Sequence, residues 1–174
     1  MNVNLKDINK NECEIIINKS GRIVDGVNHG RMVLKGDGVY YKIFDKEYCR
    51  RENFIKAYKL DFFKEICPSF IGLILDEQDI IGYITKEGKS LGSEFDTVPV
   101  EFMDKILNIT ENKKMFFYDL VASNIIITNN NELSLIDLES VYDISDLYEI
   151  SKHSAVVKPI EYFSKLTTIW RKEM

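Results

Sequence analysis

Residues 117–139 constrain the chain more than any other stretch, reading FYDLVASNIIITNNNELSLIDLE. Two apolar, largely β-branched runs, Asn124-Ile125-Ile126-Ile127-Thr128 and Leu133-Ser134-Leu135-Ile136, flank Asn129-Asn130-Asn131-Glu132. Runs of this kind on either side of an Asn cluster predict a β-hairpin. A hairpin sets its open ends side by side, so Asn124 and Asp137 are expected close together, with Asp119 on the adjoining loop. Two carboxylates and an amide oxygen converging at a strand end suit a hard cation such as Mg2+. The competing reading is a surface hairpin with ordinary polar ends, and the stretch by itself leaves both open.

The rest of the chain narrows the choice. Its 174 residues suffice for one domain, or for two small lobes sharing a core, without covalent staples. A net charge of −5 and the lack of a basic stripe argue against a nucleic-acid partner. Arg50-Arg51 and Lys113-Lys114 read as solvated pairs. Cys13, Cys49 and Cys67 have no metal-ligand spacing, so reduced, buried thiols of a cytoplasmic protein are expected. The start, MNVNLKDINKNE, is too polar for a signal peptide, and no apolar run nears the roughly 18–20 residues of a membrane span.

The first half reads as mostly β. Cys13–Ile17 is expected as a strand, followed by a turn at Asn18–Gly21, a weaker strand Arg22–Asp25, and strands 31–35 and 39–44. Lys42 sits between Tyr41 and Ile43 inside an apolar strand, where it either points to solvent or serves a site. Asp45 is expected to cap a helix over 46–60, with Tyr48, Glu52, Ile55 and Leu60 along its inner side. An inward Glu52 needs a partner; otherwise it is an exposed glutamate pairing with Lys56 one turn on. Strands 70–75 and 80–85 form a second hairpin, and 86–92 is the candidate hinge. A helix over 98–111 then carries Val98, Val100, Phe102, Met103, Ile106, Leu107 and Ile109 as core candidates. Ser140–Asp146 reads as a loop or short turn, and the tail as two amphipathic pieces around Pro159, with Ile160, Phe163, Leu166 and Ile169 on one face.

This order, with a lysine inside a sheet, a glutamate on the next helix, an Asp followed five positions later by an Asn, and an Asp closing a hairpin, resembles the protein-kinase-like superfamily. Lys42 in VYYKIF, Glu52 in RRENFIKAYKL, the CPSFIG entry to a fourth strand, Asp119-Leu120-Val121-Ala122-Ser123-Asn124 and Leu135-Ile136-Asp137 carry the likeness, which covers about residues 22–140. It implies an α+β, bilobal kinase-like fold, with a β-rich N-lobe and one helix over 1–85 and a reduced helical C-lobe over 86–174. It also implies ATP and Mg2+ as cofactors. Lys42 would orient the α/β-phosphates and Glu52 would hold Lys42. Gly26 and Gly30 would bound the phosphate-covering loop, and Tyr83, Ile84 and Thr85, on to Gly88, would offer backbone groups to adenine. Asp137 and Asn124 would bind Mg2+, and Asp119 would accept or orient the proton of an acceptor hydroxyl.

The departures from the family pattern are informative. Phe117-Tyr118 replaces the His-Arg of the catalytic loop, Val121 stands where a lysine is usual, and Glu139 replaces the Gly of D-F-G. Asp137-Leu138-Glu139 resembles the pattern of aminoglycoside, choline and lipopolysaccharide-sugar kinases. No A-P-E follows, Gly26–Gly30 lacks a G-x-G, and the remainder after Asp137 is short for a full helical lobe. The expected activity is therefore transfer of the γ-phosphate of ATP to the hydroxyl of a small molecule or glycan. Two alternatives stand beside it: a minimal bacterial effector-type protein Ser/Thr kinase, of a secreted kind that can depend on an activating protein partner, and a pseudokinase, either nucleotide-binding or purely interacting.

Overall fold

A reciprocal cap starts the first helix of the computed structural model, which describes residues 7–26, 30–35, 38–44, 51–93, 97–153 and 160–173. Asn9 Oδ1 accepts the Glu12 backbone N–H at 2.9 Å, and the Asn9 N–H donates to Glu12 Oε2 at 3.1 Å. Two of the donors that a helix start leaves without intrahelical partners are satisfied in this way. The helix, α1 (Lys10–Ser20), follows a two-residue strand β1 (Ile8–Asn9) and occupies the segment expected as a strand over Cys13–Ile17. The three consecutive isoleucines favour a strand locally. The buried and half-buried positions Cys13, Ile16 and Ile17 nevertheless follow helical spacing and pack with Tyr41, Ile74 and Ile84.

The protein is mixed α and β, and its residues pack as two units: Met1–Arg51 with Ser69–Gly88, and Glu52–Pro68 with Lys89–Met174. In the first unit, β2 (Gly21–Gly26), β3 (Gly30–Lys35) and β4 (Val39–Phe44) form an antiparallel meander. A hairpin of β5 (Phe70–Asp76) and β6 (Asp79–Lys86) completes a six-stranded sheet in the order β1-β5-β6-β4-β3-β2. Every neighbouring pair is antiparallel except β1 with β5, where Ile8 faces Ile74 in parallel register. The Leu73 N–H, on the same edge, donates to Asp7 Oδ1 at 2.8 Å. At Gly82 the sheet tolerates only a hydrogen, since a Cβ there would lie 2.2 Å from the Lys42 carbonyl oxygen.

The second unit begins with α2 (Arg51–Lys59) and α3 (Phe62–Ile66). The expected helix started earlier, with an Asp45 cap and with Tyr48 and Cys49 near its inner side; those positions lie outside the described residues. Within α2 the buried side chains are Phe54 and Ala57, and Glu52 is exposed, which corrects the inward placement expected for it. Phe54 and Ala57, three residues apart, turn Glu52 to the polar side of the helix. Phe54 meets Phe63 at 5.0 Å between ring centroids, and Phe62 stacks on Phe117 at 5.6 Å.

A short strand β7 (Lys89–Ser90) leads through a 3-10 turn, Leu91–Ser93, toward α4 (Val100–Lys113). Helix α4 buries Phe102, Met103, Ile106, Leu107 and Ile109 as expected. Val100, in its first turn, is 57% exposed, contrary to its expected core place. The helix ends on Lys114 in the left-handed region, whose N–H returns to the Thr110 carbonyl at 2.8 Å.

Strands β8 (Met115–Phe117), β9 (Ile125–Ile127), β10 (Leu133–Leu135) and β11 (Val141–Asp143) follow, and then α5 (Leu147–His153) and α6 (Ile160–Glu173). β9 is flanked by β10 and β7, while β11 pairs antiparallel with β8. The stretch expected as a loop at Ser140–Asp146 thus contains a strand. Val141 is fully buried there, facing Phe117 across the ladder.

Helix α6 turns Tyr162, Leu166 and Ile169 inward, whereas Ile160 at its first position is 74% exposed. It runs parallel to α4, with Lys165–Asp104 at 2.6 Å and Lys172–Glu111 at 2.7 Å recurring at the same spacing on both helices. These exposed pairs set register more than they add stability. No helix among the described residues is long and apolar enough to cross a membrane.

Candidate active site

The 117–139 stretch folds as its sequence predicts. Ile127 pairs with Leu133 and Ile125 with Leu135, and Asn131 takes the positive φ of 61° that the turn requires. One step beyond the ladder, the Ile136 N–H donates to the Asn124 carbonyl at 2.9 Å. The main chain of Asn124 is therefore paired with the residue that precedes Asp137. Asp137 adopts φ 64° and ψ 44°, a conformation that non-glycine residues enter infrequently and at an energetic cost. Its carbonyl accepts the Ser140 N–H at 3.0 Å, and its Oδ2 receives a longer contact of 3.5 Å from Ser140 Oγ. A tight 3-10 turn, Leu138–Ser140, thus holds Asp137 at the mouth of the hairpin.

Asp119 and Asn124 close one loop. The Asp119 carbonyl accepts the Val121 N–H at 3.2 Å and Asn124 Nδ2 at 3.0 Å, and Asp119 Oδ2 lies 3.5 Å from the same amide nitrogen. Because Nδ2 faces that carbonyl, the amide oxygen of Asn124 is turned to the opposite side. An amide oxygen and a carboxylate are the kind of donors a Mg2+ ion takes, one or two protein oxygens with several waters kept. Among the described residues no group of three or more His, Cys, Asp or Glu side chains is placed to hold a metal ion. The expected ligands are a carboxylate and an amide, which form a set of a different composition.

The loop is anchored from several sides. The Tyr118 N–H donates to the Ser140 carbonyl at 2.9 Å, joining the entry of the Asp119 loop to the turn after Asp137. A Cβ on Gly92 would lie 2.7 Å from Ser123 Cα and 2.8 Å from its nitrogen, so the Leu91–Ser93 turn presses directly on the loop. Phe117, buried at the end of β8, donates its N–H to the Tyr162 hydroxyl at 3.2 Å. In the sequence Gly92 is legible only as the end of the 86–92 hinge, and nothing local marks Tyr162 as a support of the loop.

In the first unit, Lys42 is 5% exposed, in β4 between β3 and β6, which settles its orientation against the solvent-facing reading. Tyr83, Ile84 and Thr85 lie in β6, flanked by β4 and β5, with Lys42 opposite Tyr83 and Tyr40 opposite Thr85. Immediately beyond, the Lys86 N–H donates to the Ser69 carbonyl at 2.8 Å and the Glu87 N–H to the Gly38 carbonyl at 2.6 Å. Gly26 and Gly30 face each other across the end of β2 and β3, and the residues between them lie outside the described set. The chain matches no protein-family model and no curated protein.

Proposed function

We propose that the protein is a kinase-like phosphotransferase that uses ATP and Mg2+ to phosphorylate the hydroxyl of a small molecule or glycan. The observation that carries this reading is the closure of Asp119 and Asn124 into one loop, with Asn124 main-chain paired beside Asp137. The order of elements also supports a bilobal kinase-like fold. An antiparallel meander bears a buried lysine on its third strand, a helix and a hairpin follow, and then come a helix, the acid-bearing loop and the second hairpin.

Phosphoryl transfer demands positioning and charge neutralisation more than covalent chemistry. Lys42 would orient the α/β-phosphates, a role that its burial within β4 supports. Asn124 and Asp137 would hold Mg2+, which would supply neutralisation of phosphate charge when bound. Asp119 orients the acceptor hydroxyl and receives its proton as the oxygen attacks the γ-phosphorus and ADP departs. Glu52 and the segment Tyr83–Thr85 would take the roles that the family resemblance gives them, as the partner of Lys42 and as the backbone edge for adenine.

The second reading is a pseudokinase. The engaged N–H groups of Lys86 and Glu87 favour its purely interacting form, because an adenine edge is read by backbone donors that are not already bonded. Thermal-shift titration with ATP and Mg2+ separates the cases, since a ligand at about 100 times its Kd adds about 2.7 kcal/mol of apparent stability. No shift, with or without metal, overturns the enzyme reading and leaves the purely interacting module. A shift with ATP turnover that disappears in Asp119→Ala and Asp137→Ala supports the enzyme; a shift without turnover supports the pseudokinase. Labelled phosphate recovered on protein rather than on a glycan or small-molecule fraction moves the acceptor to the effector-kinase alternative.

A further inference from the structure

Lys56 lies one helical turn after Glu52, so the two share a face of α2. Its ammonium pairs with Asp143 Oδ2. The other oxygen, Oδ1, accepts the Ser145 N–H at 3.0 Å and the Ser145 hydroxyl at 2.7 Å. Asp143 ends β11, opposite Met115 of β8, and β8 runs directly into the Asp119 loop. The carboxylate is thus oriented before Lys56 reaches it. The Asp143 side chain is 19% exposed, and that of Lys56 is 53% exposed. An ordinary surface pair gains little because both long side chains must be ordered. Here only the lysine has freedom to lose. The pair adds nothing to the buried face of α2, which is Phe54 and Ala57.

We propose that the Lys56–Asp143 pair is a positioning device that fixes the rotation of α2 about its axis, and with it the direction of Glu52, relative to the ribbon carrying Asp119 and Asp137. This role rests on the phosphotransferase reading. Lys56 and Asp143 are positioning residues and touch neither nucleotide nor acceptor.

The test compares Lys56→Met, which keeps the aliphatic stem, Asp143→Asn, which keeps an oxygen for Ser145, and Lys56→Arg, which keeps the charge. Hydrogen exchange of the α2 amides is read alongside kcat and KM for MgATP. Lys56→Met and Asp143→Asn are expected to speed exchange across residues 51–59 and to raise KM for MgATP about tenfold with a smaller change in kcat. Lys56→Arg is expected to restore both. Unchanged exchange overturns the proposal, as does faster exchange with KM unaltered, because the pair would then only tie down a helix. Failure of the phosphotransferase reading is recognised separately, since the unsubstituted protein would already show no ATP turnover.

Discussion

The Tyr162 hydroxyl accepts the backbone N–H of Phe117 at 3.2 Å, although the two residues stand far apart in the chain and both are buried. Asp119 follows Phe117 by two positions, so a helix near the end of the sequence sets the height from which the candidate catalytic loop departs. Burial holds the Tyr162 phenol well above its ordinary pKa, and the Phe117 N–H only partly offsets this.

Tyr162→Phe keeps the ring and leaves the buried Phe117 N–H without its acceptor. The expected loss is about 1–3 kcal/mol of unfolding free energy, read from urea denaturation. An unchanged midpoint would mean that water or another acceptor replaces the hydroxyl.

Gly92→Ala places a methyl group against the backbone of Ser123. Neither neighbour is the flexible end of a side chain, so the Asp119–Asn124 loop must shift. A destabilisation of about 1–3 kcal/mol is expected, the range for overpacking. A fall in the MgATP-dependent thermal shift beyond that loss would locate the damage in the loop.

Asp143 is expected to contribute to the acid limb of stability. Burial pushes its carboxyl up, but donation from Lys56 and Ser145 outweighs this and leaves its pKa below the ordinary 3.8. A carboxylate with a lowered folded pKa stabilises the fold above its unfolded value, and the contribution is lost as pH falls through the folded one. Asp143→Asn is therefore expected to flatten the decline in stability below about pH 4, followed by circular dichroism against pH. The same decline in both proteins would remove Asp143 from the acid transition.

Cys13 and Cys67 are buried free thiols. Burial, aided by the Glu14 carboxylate, pushes Cys13 up to about 11 from 9.0; burial also raises Cys67, against smaller opposing effects from the Leu135 backbone and Lys105. The thiolate is the reacting form, so neither should be alkylated by iodoacetamide at neutral pH until the protein unfolds, with peptide mass spectrometry as the readout. The raised pKa of Cys13 also makes a contribution that is complete below about 9 and disappears as pH rises through about 11, so Cys13→Ala should soften the alkaline limb.

What was legible in the sequence was local. The β9–β10 hairpin declared itself through β-branched runs around an Asn turn, and its register followed. The β5–β6 hairpin and α4 did so through alternation and helical spacing. At Cys13–Ile17 two local signals conflicted: the isoleucine run argued for a strand, while the Asn9–Glu12 cap just ahead argued for the helix that formed. Val100 and Ile160 fit an apolar stripe but occupy first turns, ahead of the buried stretch of each helix.

The rest depended on distant partners. Alternation along β4 could not say whether Lys42 faced water, because burial of its face is decided by what covers the sheet. By spacing Glu52 aligns with Tyr48, Ile55 and Leu60, whereas Phe54 and Ala57 define the inner face. Tyr162 with Phe117 and Lys56 with Asp143 join segments whose pairing no local spacing encodes. The candidate site is therefore a local motif whose supports come from elsewhere in the chain.

The parallel pairing of β1 with β5 has a consequence for how the molecule behaves in a crowded solution. β5, FIGLILD, is the most apolar strand beside an edge of the six-stranded sheet, and two residues of β1, with the Asp7 carboxylate, cover part of it. An uncovered apolar edge is a template for another chain's strand. Loss of that cover would open the edge of β5, so substitutions at Ile8 are expected to surface as turbidity and fibre formation before they surface as unfolding.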